Sequence, residues 1–378
     1  MRRLALLLLL LCACRRKENT FQLRYTVPEG AFSAALEQTT GSPLRPGHRI
    51  EMLENGRVFD ALVDAIGQAR ETVHGEMYIW AKGVASQRVL AAIAARRVKC
   101  RVLVDAIGSL GLDDEEKRRF AESGCELRFF RPVHGPNDEA RNHRKIFVID
   151  GRVGFTGGFG VDDKWLGDGR GGPGGNWRDT NARVEGNAVS DMQESFAEHW
   201  QEAGGDLLPP SAFPEHGRRG EARAAFVRSD ASPVVTRAER LTQLAIAAAH
   251  KRIWIENAYF VPSKAILELL GRRAAHGIDV RVLTAGRKSD SKLAFFGAQR
   301  DYKSLIKRGV RVWEYQPAMM HAKTMLVDDD LVVIGSVNLD PLSLNELEEG
   351  ALVAQDRPAA ERLARAFEED ATRSKEQK

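Results

Sequence analysis

The same order of strand-like and helix-like segments occurs twice in this 378-residue chain, about 180 residues apart. Residues 101–103 (Arg-Val-Leu) return as residues 281–283, and Glu76 returns as Glu256. In each copy, short apolar segments alternate with longer segments whose apolar residues recur every three to four positions, which is the pattern of alternating strands and helices. The chain is therefore predicted to be an α/β protein that arose by tandem duplication.

The duplication predicts two mixed β-sheets that pack on each other, flanked by helices and related by a pseudo-twofold axis. We place the first repeat at residues 45–206 and the second at residues 223–370. Residues 207–222 between them are rich in Pro and Gly, which is typical of a linker. We interpret residues 15–44 as a tether that precedes the repeats.

The first 14 residues differ from the rest of the chain. Two arginines precede the apolar run Leu4–Leu11, which is too short to span a bilayer as a helix but fits an export signal. Residues 11–14 (Leu-Cys-Ala-Cys) resemble a bacterial lipobox, which implies acylation of Cys14. We therefore expect an exported lipoprotein of the bacterial envelope, anchored to the membrane and facing the periplasm. A plain secretory signal and an uncleaved anchor are the alternatives.

The composition narrows the class of partner. With 43% hydrophobic and 29% charged residues, the chain has an ordinary globular composition, which excludes a disordered tail, a coiled coil and a polytopic membrane protein. The formal net charge of +4 is too small to indicate nucleic-acid binding. It fits anionic lipids or other phosphate-bearing partners.

Two cysteines, Cys100 and Cys125, remain in the predicted folded part. Both lie in strand-like segments, and export would place them in an oxidising compartment. The sequence leaves open whether they form a disulfide or two buried thiols, because the geometry decides.

A short motif, His-x-Lys-x4-Asp, occurs once in each repeat. Its members are His143, Lys145 and Asp150 in the first repeat and His321, Lys323 and Asp328 in the second. Residues two apart on a strand project from the same face, so the His and Lys of each motif point together. All six residues are candidate catalytic residues, although we interpret the Asp of each motif as an acceptor that stabilises a turn.

This set of side chains suits displacement at a phosphodiester. The reaction needs a nucleophile, positive charge near the phosphate oxygens and an acid for the leaving alkoxide. One His can attack phosphorus, the other can serve as acid and base, and the two Lys supply charge, so we expect no metal and no other cofactor. A single His is most often a surface or core residue, but two equivalent copies are hard to obtain from packing alone. We predict one site, formed where two half-sites face each other.

Both motifs resemble those of the phospholipase D superfamily, and their flanking residues are similar to its bacterial cardiolipin synthase branch. The similar segments are residues 142–158, 177–186, 256–262 and 335–343. The resemblance extends over residues 45–356, which is most of the chain.

The resemblance implies a metal-independent phosphatidyl transfer through a phosphohistidine, with phospholipids as substrates. It implies that His143 attacks and that His321 is the acid and base, although the near symmetry of the repeats leaves this assignment open. Each His needs an acidic partner to hold its tautomer. The resemblance indicates Glu349, 28 residues after His321, with Glu346 as a rival, and Asp179 in the first repeat.

Two further residues, Ser336 and Asn338, are implied to support phosphate binding. The first repeat departs from this pattern, because Gly160 stands 17 residues after His143, where Asn338 stands 17 residues after His321. Leu342 occupies a position where family members often carry Arg.

Three alternative functions remain open at this point. A phospholipase D hydrolase would use water in place of the alcohol. A nuclease would need an aromatic and basic groove, which the sequence does not indicate. A non-catalytic lipid-binding lipoprotein is compatible with Gly160. We expect phospholipids and a membrane surface as partners, no nucleic acid and no obligate oligomer.

Overall fold

The computed structural model describes residues 21–24, 26–132, 140–171 and 176–378. The predicted export signal and Cys14 lie outside the described residues. Within these ranges, no helix is both long enough and apolar enough to cross a bilayer.

The first half of the chain comprises an opening helix and the elements of the first repeat. Its strands are β1 (Arg45–Glu54), β2 (Thr72–Met77), β3 (Lys99–Asp105), β4 (Cys125–Phe130), β5 (Ile146–Ile149), β6 (Val153–Gly157) and β7 (Thr180–Glu185). Its helices are α1 (Phe32–Thr40), α2 (Arg57–Gln68), α3 (Val84–Arg96), α4 (Asp114–Glu122) and α5 (Ala188–Glu202).

The second half repeats this series of elements. Its strands are β8 (Ala222–Ser229), β9 (Arg252–Asn257), β10 (Asp279–Ala285), β11 (Arg311–Tyr315), β12 (Lys323–Val327), β13 (Leu331–Gly335), β14 (Glu349–Gln355) and β15 (Ser374–Glu376). Its helices are α6 (Arg237–Ala247), α7 (Lys264–Ala275), α8 (Lys292–Ile306), α9 (Pro341–Asn345) and α10 (Arg357–Thr372).

Local sequence explains where the helices begin and which face they bury. Helices α6, α7 and α8 begin after Thr236, Ser263 and Ser291, whose side chains accept backbone N–H groups of the first turn. Helix α2 buries Phe59 and Leu62 in one core with apolar side chains of the first sheet. Helix α2 therefore covers one face of the first sheet.

The two halves use the same strand order. It is β1-β7-β6-β5-β2-β3-β4 in the first half and β8-β14-β13-β12-β9-β10-β11 in the second, with β15 at the far edge. Strands β2, β3 and β4 pair in parallel, as do β9, β10 and β11, whereas β5 and β12 are antiparallel to their neighbours. The matching order confirms the predicted duplication and the mixed α/β class.

The two sheets pack on each other across a shared apolar core. Val148 of β5 and Val184 of β7 lie in one buried cluster with Leu326 of β12, Ile334 of β13 and Leu352 of β14. The central antiparallel strands of the two halves therefore face each other, and their ends come together at the interface.

Strand β1 joins the two sheets into one continuous strand order. It pairs with β8 at Arg45 and His48, and with β7 from Arg49 to Glu54. The two packed sheets of the sequence prediction are thus also hydrogen-bonded along one edge.

The segment before the first repeat is folded where the structure describes it. Phe32 and Leu36 of α1 are buried in the core of the second half with Leu241 and Leu244 of α6. Part of the predicted tether therefore covers a face of the second half.

Cys100 and Cys125 form a disulfide. They are register partners on the parallel strands β3 and β4, with Cα atoms 4.5 Å apart. The sequence left open a disulfide or two buried thiols, and the structure has the disulfide.

Candidate active site

The two His-x-Lys motifs lie where the halves face each other. The first motif ends directly before β5, and the second leads into β12. The backbone N–H of His143 donates to the carbonyl of Glu348 at 2.8 Å, and that of His321 donates to the carbonyl of Arg178 at 2.7 Å. Each motif is therefore hydrogen-bonded to a residue of the opposite half.

The histidine of each His-x-Lys motif pairs with a carboxylate of the opposite half. Nδ1 of His143 lies 2.8 Å from Oε1 of Glu349, and Nδ1 of His321 lies 3.1 Å from Oδ2 of Asp179. A carboxylate at Nδ1 holds the proton there and leaves Nε2 for chemistry. Glu349 lies in the same repeat as His321, but it pairs with His143, and Asp179 of the first repeat pairs with His321.

The carboxylate of Glu349 is held by two hydroxyl groups. Ser336 Oγ donates to Oε2, and Ser343 Oγ donates to Oε1. Ser343 Oγ also accepts the backbone N–H of Asn338 at 2.8 Å. The Gly-Ser turn of the second motif therefore orients the carboxylate that binds His143.

The carboxylate of Asp179 is held differently. It accepts the indole N–H of Trp165 at 2.7 Å and the backbone N–H of Thr180 at 2.8 Å. Gly158 stands where the second half has a serine, and a Cβ there would lie 2.4 Å from Asp179 Oδ1 and 2.7 Å from the carbonyl oxygen of His321. The close approach of the two halves at this point requires glycine.

Both motif lysines are buried beside their histidines. Lys145 Nζ donates to the carbonyl of His143 at 2.7 Å, and Lys323 Nζ donates to the carbonyl of His321. Burial lowers the pKa of Lys145 to about 7 and that of Lys323 to about 8, although the nearby carboxylates oppose this shift. An ammonium has three N–H groups, so each can also bind an anionic ligand.

Burial keeps both imidazoles neutral near pH 7. It lowers the pKa of His143 to about 4, with the negative charge of Glu349 acting in the opposite direction. It lowers the pKa of His321 well below the ordinary value, and the positive charge of Lys323 acts in the same direction. Burial also raises the pKa of Asp179 to about 6. Neutral rings with a free Nε2 are suited to nucleophilic attack and to proton transfer.

Aromatic side chains form the walls of the site. The ring of Tyr78 lies 5.0 Å from the ring of His143, and those of Trp177 and Trp165 lie 5.0 and 5.2 Å from the ring of His321. Trp165 was not predicted as a site residue from the sequence, although it follows the first motif closely.

The Asp residues of the motifs lie at the other ends of their strands, about 16 Å from the lysines along an extended chain. Asp150 accepts three backbone N–H groups, those of Arg70, Glu71 and Thr72, each at 2.8 Å. Asp328 accepts the equivalent three N–H groups of residues 250–252. These contacts agree with the interpretation of both Asp residues as acceptors that stabilise a turn.

The missing asparagine of the first repeat has a structural explanation. A Cβ at Gly160 would lie 2.8 Å from the ring of Trp165, so the indole occupies this space. In the second half, Asn338 is buried beside Ser343, and its Oδ1 has no hydrogen-bond partner within the described ranges. Only the second half therefore offers an amide to a ligand at this position, through Asn338.

The residue before each site carboxylate is clamped by the opposite half. Glu348 lies 3.0 Å from Nε2 of His199, 2.9 Å from Arg131 and 3.4 Å from Arg144. His199 also contacts Glu76 at 2.6 Å, so the imidazole lies between two carboxylates. This cluster fixes the backbone that carries Glu349.

The residue before Asp179 is also held by the opposite half, but it is a buried arginine and its partner is a carboxylate. Arg178, the residue before Asp179, donates from Nε to Asp370 of α10 at 2.6 Å. Glu256 lies in the same cluster, and burial raises its pKa to about 8 although the charge of Arg178 opposes this. The two carboxylates that hold the histidines are thus both positioned by buried charges across the interface.

The sequence matches one family model and many relatives. The model described as "Cardiolipin synthase, PLD-like domain" matches residues 62–200 and 243–371. Cardiolipin synthase A of Pseudomonas putida strain GB-1 is 34% identical over 354 residues, which cover 90% of this chain and 72% of that protein. Cardiolipin synthase A of Pseudomonas aeruginosa strain LESB58 is 33% identical over 350 residues, with 90% and 71% covered.

The fold also has a solved counterpart. The crystal structure of phosphatidylserine synthase from Haemophilus influenzae Rd KW20 matches with a TM-score of 0.70 at 15% identity, covering 92% of both chains. That likeness shows the shared fold, and the family model with the curated relatives shows the lineage. The chain therefore belongs to the phospholipase D superfamily, in its cardiolipin synthase branch of phosphatidyltransferases.

Proposed function

We propose that this protein transfers a phosphatidyl group from one phospholipid to an alcohol through a covalent phosphohistidine at His143. The observation that carries the proposal is the crossed arrangement of the site. Each buried, neutral imidazole has Nδ1 held by a carboxylate of the other half, and an ammonium lies beside it. Nε2 of each histidine and the ammonium group of each lysine therefore remain to act on one bound phosphodiester.

In the first step, Nε2 of His143 attacks phosphorus and the bond from phosphorus to the leaving oxygen breaks. The electron pair stays on the leaving oxygen, which takes a proton from Nε2 of His321. The negative charge of the bound phosphate raises the pKa of His321 and so favours its protonated form. Asp179 lies at Nδ1 of His321, and its negative charge stabilises the cationic ring while Nε2 carries the proton.

In the second step, Nε2 of His321 takes the proton of the incoming alcohol, whose oxygen attacks phosphorus. The phosphorus–nitrogen bond then breaks and restores His143. Lys145 and Lys323 balance the charge of the non-bridging oxygens. Glu349 stabilises the cationic ring of the phosphohistidine, which keeps its proton at Nδ1.

The acceptor that we propose is phosphatidylglycerol, with cardiolipin and glycerol as products. The support is the 33–34% identity to proteins named cardiolipin synthase A across about nine-tenths of this chain.

We also propose that the protein is exported and anchored through Cys14. The bond between Cys100 and Cys125 supports an oxidising compartment.

The test is to incubate purified protein with phosphatidylglycerol and to identify the lipid products by mass spectrometry, with and without a chelator. Cardiolipin formation that survives the chelator supports the proposal, and phosphatidic acid as the main product would instead indicate a hydrolase. His143→Ala and His321→Ala should each abolish turnover. His276→Ala, at an exposed histidine, is the matched control. Full activity of either site variant, or no turnover by the native chain, overturns the proposal.

A further inference from the structure

The loop and helix start at residues 287–296 lie beside the site. They follow β10, which ends at the same edge of the sheet as β9 and as the start of β12. Asp290 Oδ1 accepts the hydroxyl of Tyr259 at 2.8 Å, and the ring of Tyr259 lies 6.3 Å from the ring of His321. We call residues 287–296 the rim segment.

The rim segment exposes two large apolar side chains. Leu293 is 49% exposed and Phe296 is 63% exposed, whereas Phe295 between them is buried and anchors the helix. Water-exposed Leu and Phe side chains on one turn of a helix cost free energy unless another surface covers them.

The same segment carries cations. Arg287, Lys288 and Lys292 are all exposed, against one carboxylate, Asp290. Lys288 and Lys292 donate to backbone carbonyls of Pro317 and Arg287, at 2.6 Å each, so their charges are not neutralised by these contacts. A helix start with apolar side chains beside several Lys and Arg is typical of an interfacial membrane contact.

The first half has an apolar counterpart at the same edge. Leu110 is 67% exposed and directly follows Ser109, whose hydroxyl donates to the carbonyl of Tyr78 at 3.0 Å. The ring of Tyr78 is the one that packs against His143. Exposed apolar side chains therefore stand on both sides of the histidine pair.

We propose that the rim segment docks on the surface of an anionic phospholipid bilayer, with Leu293 and Phe296 in the headgroup–acyl boundary and the three cations at the headgroups. This inference rests on the proposed function, because a lipid substrate must leave a bilayer to reach the histidines. Charge complementarity selects an anionic bilayer over a second copy of this basic chain. Each cation near such a surface strengthens binding by about fivefold.

The test compares the full chain, a Leu293→Ser/Phe296→Ser variant and a Phe213→Ser control. Phe213 is also exposed but follows Ala212, whose carbonyl approaches Gly151 at the opposite end of the sheets. Turnover is measured on phosphatidylglycerol vesicles and on a short-chain phosphatidylglycerol dispersed as monomers. We expect the double variant to lose about tenfold or more on vesicles, with dispersed substrate unaffected and the control unchanged.

Hydrogen exchange supplies a readout that does not depend on activity. Amides of the rim segment should exchange more slowly on vesicles containing phosphatidylglycerol than on phosphatidylcholine vesicles, and the double variant should lose this protection. Equal protection on both lipids, equal vesicle turnover by variant and control, or a rim segment protected by self-association without lipid would each overturn the inference. Absent turnover on dispersed substrate with lipid-dependent protection intact would count against the proposed function and for the docking surface.

Discussion

Replacing Glu349 by Gln tests the crossed pairing most sharply among single substitutions. The amide is nearly the same size. With its oxygen at His143 and Ser343, its N–H group faces Ser336, whose hydroxyl can turn to accept it. The change therefore removes the charge opposite His143 and keeps the packing.

The size of the effect follows from the charge that His143 acquires when Nε2 bonds to phosphorus. Glu349 Oε1 lies 2.8 Å from Nδ1, and the carboxylate is fully buried. Unit charges about 4 Å apart attract by about 4 kcal/mol at an effective dielectric constant of about 20. Part of this is recovered by the amide oxygen, so we expect kcat/KM to fall by about a hundredfold to a thousandfold.

The assay measures initial rates on dispersed short-chain phosphatidylglycerol, with the unfolding midpoint recorded for each protein. Glu198→Gln is the control, because it makes the same change in an exposed carboxylate that pairs with Arg228. A folded Glu349→Gln protein whose kcat/KM stays within about threefold of the native value would show that the charge of Glu349 does not stabilise the cationic ring of His143.

Four further outcomes are expected. The kcat/KM should be highest between pH values of about 6 and 7, because Asp179 takes up a proton below about 6 and Lys145 loses one above about 7. A kcat/KM that falls on neither side of this range would contradict the prediction. The free energy of unfolding should meanwhile rise with pH above about 7, because the buried Lys145 releases its proton there while the unfolded chain keeps it up to 10.5. Gly158→Ala should lower kcat/KM by about a hundredfold, because the added Cβ would lie 2.4 Å from Asp179 Oδ1. Gly217→Ala is the control and should leave kcat/KM unchanged, because a Cβ there meets open space. Glu348→Gln leaves Arg131, Arg144 and His199 without their shared carboxylate. Urea denaturation should therefore show that the free energy of unfolding falls by about 3–5 kcal/mol. A fall of less than about 1 kcal/mol would speak against the clamp.

The duplicated strand and helix pattern was sufficient to predict the class of fold and the matching halves. Strands β3 and β10, for example, are apolar runs of the same length with the same Arg-Val-Leu segment, and both are central parallel strands. Such runs carry their own strand signal, so local sequence is enough. The joining role of β1 was not predictable, because it depends on how one strand divides its hydrogen bonds between two sheets.

The candidate site was predictable only in its composition. The His and Lys pairs could be listed from the repeated motif, but the crossing of Glu349 to His143 is a property of how two halves meet. Spacing within one repeat contains no information about that contact. Trp165 was missed for a related reason, since its role arises from the space that Gly160 leaves open.

One histidine is proposed to carry the phosphatidyl group between the two steps. A single turnover of the native chain with phosphatidylglycerol, quenched in base, allows the adduct to be located by peptide mass spectrometry. We expect a phosphatidyl adduct on the peptide containing His143, and none in His143→Ala. An adduct on His321 or another residue, or product formed by His143→Ala at the native rate, would contradict this proposal.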